Sequence, residues 1–454
     1  MFVEGLEMLA AQNNIEIERD LLARLSDARA RTDELFDRVK PEALYDRPIP
    51  ERHRIVFYLG HLEAFDWNLL RKRVVDVNSF HSEFDHLFAF GIDPINGGLP
   101  SDQPKDWPSV EKVRDYVERV RQALDQELGD CLSSEPNDNA TSQESSPRLL
   151  LNVAIEHRLM HAETLSYMLH QLPLDRKIRP AHMPELVVAA ARPAMAEIPA
   201  GSAVLGLSRL DANSFGWDNE YEMHTVAVPP FAIDRYMVTN GQYAEFMAAG
   251  GYDKRNLWAD GDWKWKTESN ITAPIGWKRI GDGWYYQTMF DEVPLPLDWP
   301  VYVSHAEATA YARWVGKVLP TEEQWHRAAY GTPEGVERNF PWGVEAPSAR
   351  LGNFDNQSWD PTPVGAFPAG ESAFGVTDML GNGWEWTSSI FKPFPGFEPF
   401  PFYRGYSADF FDGHHYVMKG GSARTAACML RRSFRNWFQT HYQYVYSGFR
   451  CVSN

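Results

Sequence analysis

The residue pattern of this chain changes near residue 195, and that change limits its fold more than any other feature. Before this point, long stretches carry apolar residues at intervals of three and four, which is the spacing of amphipathic helices. After it, strands are short, turns are frequent, and most of the 16 Trp, 19 Tyr and 26 Phe residues are found. We predict an α+β protein with a helical bundle over 15–172, a linker over 173–194 and a domain rich in irregular structure over 195–454.

The helical half contains four predicted helices, as many as form an antiparallel four-helix bundle. In the second half, apolar spacing predicts two short helices, and Thr321 is expected to cap a third. Residues 133–147 are polar and lack aromatic side chains, so they are predicted to be a disordered connector. The helical patterns cover 21–39, 55–75, 110–128 and 148–172, followed by 240–250 and 305–317.

The charge balance excludes several classes of partner. The chain has 44 Lys and Arg against 62 Asp and Glu, a net charge of −18, which argues against a nucleic acid or an anionic membrane as partner. Three cysteines are too few for a disulfide framework. The start of the chain lacks the basic and apolar segments of a signal peptide, and apolar runs fall short of the roughly 18–20 residues that span a bilayer. We therefore expect a soluble cytoplasmic protein.

Three histidines on predicted helices form a candidate metal site. His157 and His161 are four residues apart, so they share one helix face, and His61 lies on another strongly apolar helix. In a bundle core, ligands from facing helices converge. Zinc, copper, nickel and iron all accept imidazole, and three ligands leave positions open for catalysis. The alternative is that these are core histidines, and other candidate ligands are present at His53, His81, His86, His170 and His182.

Four motifs in the second half carry a resemblance to a known fold. They are LPTEEQWHRAAYG at 319–331, DMLGNGWEWTSS at 378–389, VMKGGSA at 417–423 and SFRNWF at 433–438. Together they resemble the formylglycine-generating-enzyme fold, which is C-type-lectin-like. Formylglycine generation itself is not expected, because Cys428 and Cys451 lack the spacing of its reactive cysteine pair.

Combined with the helical histidines, these motifs make the chain similar to the ergothioneine synthase family over residues 20–453, with a DinB-like bundle. The resemblance implies Fe(II) bound by His61, His157 and His161. It further implies a synthase that uses O₂ to join sulfur or selenium from a small thiol or selenol donor to imidazole C2 of hercynine, a trimethylated histidine.

The resemblance also implies roles for residues near the end of the chain. One of two tyrosines, Tyr403 or Tyr406, would donate a proton or hydrogen atom. Aromatic rings attract a quaternary ammonium, so tryptophans near the acceptor could cage it, although core packing is the favoured alternative for Trp384 and Trp386. The residues assigned to acceptor binding are Asn436, Trp437, Phe438, Trp384 and Trp386.

Two departures from the family bear on the donor. The γ-glutamylcysteine-using branch carries arginines that grip carboxylates, but residues 74–109 contain no arginine and one lysine. Phe438 replaces an acidic residue of the mycobacterial pattern and resembles cysteine-using relatives and the 5-histidylcysteine sulfoxide synthases. A selenosugar, as in the selenoneine synthases, is the favoured donor, because a segment that lacks arginine and contains Asp and Asn suits sugar hydroxyls better than carboxylates. Cysteine or γ-glutamylcysteine is the alternative. A metal-dependent thiol transferase and a non-catalytic glycan-binding module are the other classes considered.

Overall fold

The computed structural model describes residues 20–91, 99–133, 146–183, 192–211 and 214–453. It divides into two compact units, Met1–Pro180 and Ala181–Asn454, which we call the first and second units. Most of the predicted connector at 133–147 and part of the predicted linker at 173–194 lie outside the described residues. Among the helices in the described ranges, none combines the length and the apolar character needed to cross a membrane.

The first unit is helical, and the four predicted helices are confirmed. Helix α2 is buried on nearly all sides and packs against α3, α4 and α5, which explains its continuous apolar sequence. A short helix, α3, was not predicted, because its nine residues are too few for a clear periodic signal. The helices are α1 at 20–36, α2 at Ile55–Leu70, α3 at Ser82–Phe90, α4 at Val110–Ser133 and α5 at Pro147–His170.

A glycine lets α3 approach α2 closely. A Cβ atom added at Gly60 would lie 2.5 Å from the ring of Phe88, so even a methyl group would clash there. This close approach matters for the site, because Gly60 precedes His61 on α2 and Phe88 lies near the end of α3.

A buried charge network ties α2 to α4 and α5. Both guanidinium NH groups of Arg158 donate to the Glu63 carboxylate, at 3.0 and 2.6 Å, and one of them also donates to Asp66 at 2.6 Å. Arg121 on α4 donates to Glu63 at 2.8 Å and pairs with Asp33. Because Glu63 is two residues from His61, and Arg158 is adjacent to His157, the network fixes the relative position of these two histidines.

The second unit combines small sheets, helices and long irregular segments, as predicted. The described strands pair in the orders β1-β4-β12, β2-β3, β5-β6-β7 and β10-β9-β8-β11. The first six are β1 at Met195–Ile198, β2 at Gly201–Leu205, β3 at His224–Val228, β4 at Phe231–Asp234, β5 at Trp277–Ile280 and β6 at Gly283–Gln287. The others are β7 at Glu292–Pro294, β8 at Gly383–Ile390, β9 at His415–Gly421, β10 at Asn436–Gln439, β11 at Ser447–Gly448 and β12 at Val452–Ser453.

Within the described residues of this unit, four α-helices accompany the sheets, and three of them fit the sequence expectations. The predicted cap at Thr321 is confirmed, since its side chain accepts a hydrogen bond from the Gln324 backbone N–H. The additional helix is α7, which was not predicted. The helices are α6 at Asn240–Ala248, α7 at Asp260–Glu268, α8 at His305–Trp314 and α9 at Glu322–Tyr330.

Strand β8 runs through the centre of this unit. Its Glu385 is buried and receives two hydrogen bonds from Arg450, at 2.6 and 2.7 Å, and one from the Trp325 indole N–H. Strand β9 pairs with both β8 and β10, so the Asn436–Trp437 segment on β10 is separated from β8 by one strand.

Candidate functional site

The structure brings His61, His157 and His161 together in the first unit. One ring nitrogen from each lies within 4.8 Å of the others, and the Nε2 atoms of His61 and His161 are 3.3 Å apart. The ring centroids of His157 and His161 are separated by 4.5 Å, as expected for two side chains one turn apart on α5. In the described part of the chain, no other histidine, cysteine or acidic residue joins a group of this kind.

The tautomer of His61 is set by the main chain of α3. Its Nδ1 lies 2.7 Å from the backbone oxygen of Phe88, so Nδ1–H donates to that carbonyl. The lone pair is then on Nε2, the atom that faces His161. A histidine held in this way is oriented as a metal ligand before a metal binds.

All three imidazoles are held neutral by their surroundings. Burial lowers the pKa of His61 to about 4. Burial, followed by repulsion from neighbouring imidazoles, lowers the pKa values of His157 and His161 well below 6.5. Neutral imidazole is the form that binds a metal. Nδ1 of His161 is buried and has no hydrogen-bond partner among the described residues. Three neutral nitrogen donors of this kind fit iron(II), and they equally fit zinc, copper or nickel.

Two phenylalanines line the group on α2. Phe57 stacks on His61 with centroids 4.7 Å apart, and Phe65 stacks on His157 at 3.4 Å. These rings were missed from the sequence, although their spacing of four residues on either side of His61 places them on its helix face. They cover one face of His61 and one face of His157 with apolar surface.

The other histidines considered from the sequence have different surroundings. His53 packs against Phe57, with ring centroids 4.2 Å apart. His81 caps α3 by accepting a hydrogen bond from the Phe84 backbone N–H. His170 is buried at the end of α5, nine residues after His161. The structure places all of these outside the three-histidine group.

In the second unit, Tyr406 lies between the other predicted tyrosine, Tyr403, and Trp437. The ring centroid of Tyr406 is 5.5 Å from that of Tyr403 and 5.5 Å from that of Trp437. Trp437 stacks on Phe391 at 4.2 Å, with the rings nearly parallel. All three predicted residues are partly exposed, so they can meet a ligand. We call Tyr403, Tyr406 and Trp437 the aromatic cluster.

The remaining predicted acceptor-binding residues fall into two groups. Asn436 and Phe438 are partly exposed on β10, and Phe438 stacks on Tyr442 at 4.8 Å. Trp384 and Trp386 are buried in β8, with 1% and 0% of their surface exposed. Trp386 donates its indole N–H to the backbone oxygen of Val303. Their environment is that of core aromatics, the alternative considered from the sequence.

Sequence reasoning also missed a buried turn beside the aromatic cluster. Trp217 stacks on Tyr406 at 4.0 Å, and the next residue, Asp218, accepts a 2.6 Å hydrogen bond from Ser407. The same short turn, Asp218–Glu220, continues to Glu220, which pairs with Arg431. The sequence offers only the run WDNE as a signal, and nothing in it indicates which distant segment the turn contacts.

Two acidic residues of the expected donor segment, Asp85 and Asp102, are already engaged. Asp102 is buried and pairs with Arg47 and Arg54, and it also accepts a 2.7 Å hydrogen bond from the Trp107 indole. Asp85 accepts hydrogen bonds from Ser79, Trp67 and Tyr116. These two carboxylates therefore hold the fold of the segment and are not available to bind the hydroxyls of a sugar.

Comparisons with known proteins identify both domains. Residues 24–165 match the DinB superfamily, and residues 183–454 match the sulfatase-modifying factor enzyme 1-like domain. The protein is therefore of the predicted class, a DinB-like helical domain followed by a formylglycine-generating-enzyme-like α+β domain. A formylglycine-generating enzyme of Mycobacterium tuberculosis is 32% identical over 45% of this chain and 77% of its own length.

Relatives with both domains give the family. A hercynine oxygenase of Mycolicibacterium smegmatis is 40% identical over 83% of each chain. Ergothioneine biosynthesis protein 1 of Neurospora crassa is 29% identical over 90% of this chain, which spans about half (55%) of the fungal protein. The chain belongs to the ergothioneine synthase-like family.

Proposed function

We propose that this protein is an iron(II)- and O₂-dependent synthase that joins selenium or sulfur to imidazole C2 of hercynine. The observation that carries the proposal is the convergence of three neutral imidazoles in a chain of the ergothioneine synthase-like family. His61, His157 and His161 would hold the metal. Iron(II) held by them would supply open positions for the donor atom and for O₂.

The first unit would bind the donor as an anion. The ligand set has no carboxylate, so the full charge of the metal remains to attract a thiolate or selenolate. Phe57 and Phe65 place apolar rings on His61 and His157, and the lower local polarity would strengthen that attraction.

The second unit would bind hercynine and supply a proton or hydrogen atom. The faces of Tyr403, Tyr406 and Trp437 suit the trimethylammonium group, because aromatic rings attract such cations. Burial, and then the charge of Asp218, raises the pKa of Tyr403 to about 12. Tyr403 therefore keeps its phenol proton at neutral pH, as a donor must.

For the donor, we propose a selenosugar and, as the alternative, cysteine or γ-glutamylcysteine. The absence of arginine from 74–109 supports a donor without carboxylates. The engaged side chains of Asp85 and Asp102 remove one reason for favouring a sugar, namely that free acids would bind its hydroxyls. The relatedness to ergothioneine biosynthesis protein 1 favours the sulfur alternative.

The test is mass spectrometry of the products. Iron-loaded enzyme would be mixed anaerobically with hercynine and one donor, and O₂ would then be admitted. We expect a selenium adduct with the selenosugar, and a sulfur adduct would identify the alternative donor. No adduct and no O₂ uptake with iron bound would refute the proposal.

Two variants and two other outcomes sharpen this test. His157→Ala should abolish adduct formation, whereas His170→Ala, which removes a buried histidine from the same helix, should retain it. Turnover without O₂ by a zinc-loaded enzyme would instead indicate a thiol transferase. Metal-independent ligand binding without turnover would indicate a glycan-binding module.

A further inference from the structure

The buried turn Asp218–Glu220 contacts both segments that carry the aromatic cluster. Asp218 accepts its hydrogen bond from Ser407, the residue after Tyr406. Glu220 accepts a 2.6 Å hydrogen bond from Ser433 and pairs with Arg431, just before β10. The turn therefore connects the tyrosine segment to the strand that carries Trp437.

The contacts between the turn and the tyrosines are close. The stacking of Trp217 on Tyr406 covers one face of that ring, and the centroid of Tyr403 is 6.5 Å from that of Trp217. Trp217 and Asp218 are both 0% exposed, so their positions are fixed by packing. A rigid partner of this kind can hold the two phenol rings in one orientation.

Packing alone does not explain why a carboxylate stands at position 218. A buried carboxylate is costly unless it is fully hydrogen-bonded, and Oδ2 of Asp218 has no partner in the described part of the chain. Burial raises the pKa of Asp218 to about 6, while hydrogen bonds from Ser407, from Asn219 and from the backbone of Phe400 act to lower it. At neutral pH the group is an anion, and its charge strengthens the bond that it accepts.

We propose that Asp218 is a positioning residue, which acts through Ser407 and the adjoining Trp217 ring to hold Tyr403 and Tyr406 in a fixed place relative to Trp437. This inference rests on the proposed function, in which one tyrosine is the donor to hercynine. The role proposed for Asp218 is to orient the tyrosines. The residues that would contact hercynine are those of the aromatic cluster.

The test combines kinetics with a measurement that is independent of turnover. Ser407→Ala and Asp218→Ala should each lower kcat at least about tenfold with little change in KM, since a hydrogen bond to a charged acceptor is lost. Asp218→Asn should recover most of the loss, because its amide oxygen still accepts from Ser407. The matched control is Asp409→Asn, which removes an exposed carboxylate from the same segment.

The second measurement is ¹⁹F NMR of 3-fluorotyrosine incorporated at position 406. In Ser407→Ala the resonance should shift and broaden as the ring loses its fixed place, whereas in Asp409→Asn it should match the parent protein. Ser407→Ala is a mild change, so the test does not depend on whether Asp218→Ala folds. An unchanged resonance in Ser407→Ala would overturn the proposal. A parent protein that shows no turnover would count against the proposed function alone.

Discussion

Glu63→Gln should destabilise the first unit and disturb the histidine group together. Glu63 is buried and accepts hydrogen bonds from Arg158 and Arg121. Burial on its own would raise the pKa of this carboxyl, but the charges of Arg158, Arg121 and Arg29 prevail and lower it to about 2. A fall from 4.5 to about 2 corresponds to roughly 3 kcal/mol of stability.

Mutational precedent gives a similar magnitude. Removing one partner of a buried ion pair costs about 3–5 kcal/mol, because the other charge is left uncompensated. Here Asp66 remains beside Arg158, so we expect the lower end of that range. Since the pKa of Glu63 is lowered, its contribution is present above pH 4.5 and disappears as the pH falls towards 2. Glu63→Gln should remove that pH dependence.

Hydrogen exchange measured by mass spectrometry on peptides from α2 and α5 would report the local free energy of opening. Asp33→Asn is the matched control, because it removes an acid that pairs with the same Arg121 but has 47% of its side chain exposed. This change should lower the free energy of opening by at most about 1 kcal/mol. The reasoning fails if Glu63→Gln accelerates exchange no more than Asp33→Asn does.

Three further predictions concern the site. His157→Ala should lose most bound iron as measured by elemental analysis, while His170→Ala keeps it; equal iron in both would contradict the assignment. Trp437→Ala should weaken hercynine binding about 2- to 30-fold by calorimetry, the range of a cation–π contact; unchanged affinity would remove this ring from the acceptor site. Gly60→Ala should lower the free energy of unfolding by about 1–3 kcal/mol, because its Cβ would meet Phe88, and denaturation measurements should detect the loss.

Helical periodicity was enough to pair two of the three histidines. A spacing of four residues places His157 and His161 on one face of any helix. Adding His61 required knowing that α2 packs against α5. The family resemblance supplied this third ligand. The acceptor for His61 could not be predicted, because it is a main-chain atom of Phe88 on a helix that has no clear pattern.

The aromatic cluster could likewise be predicted only in part. The family resemblance pointed to Tyr403, Tyr406 and Trp437, and the structure places Tyr406 next to each of the other two. The turn that contacts them was missed, since the hydrogen bond between Asp218 and Ser407 joins residues 189 apart in the chain. A contact of this sequence separation leaves no periodic signal.

The tryptophans of β8 illustrate a different difficulty. In the run GWEWTSSI, alternation would place Trp384 and Trp386 on one face and Glu385 on the other. Arg450 neutralises Glu385, so the strand is buried on both faces. The sequence gives no indication of that distant partner, so core packing of these tryptophans could be favoured from the sequence but not established.

The hydrogen bond from His61 to the Phe88 carbonyl has a consequence for how this site tolerates mutation. The acceptor belongs to the backbone, so replacing Phe88 alters packing but keeps the oxygen that orients the imidazole. Only changes that redirect α3, such as a bulkier residue at position 60, would remove it. The orientation of His61 should therefore tolerate substitution of Phe88 but not of Gly60. The residue on which this ligand geometry depends most is thus a glycine, which has no side-chain functional group.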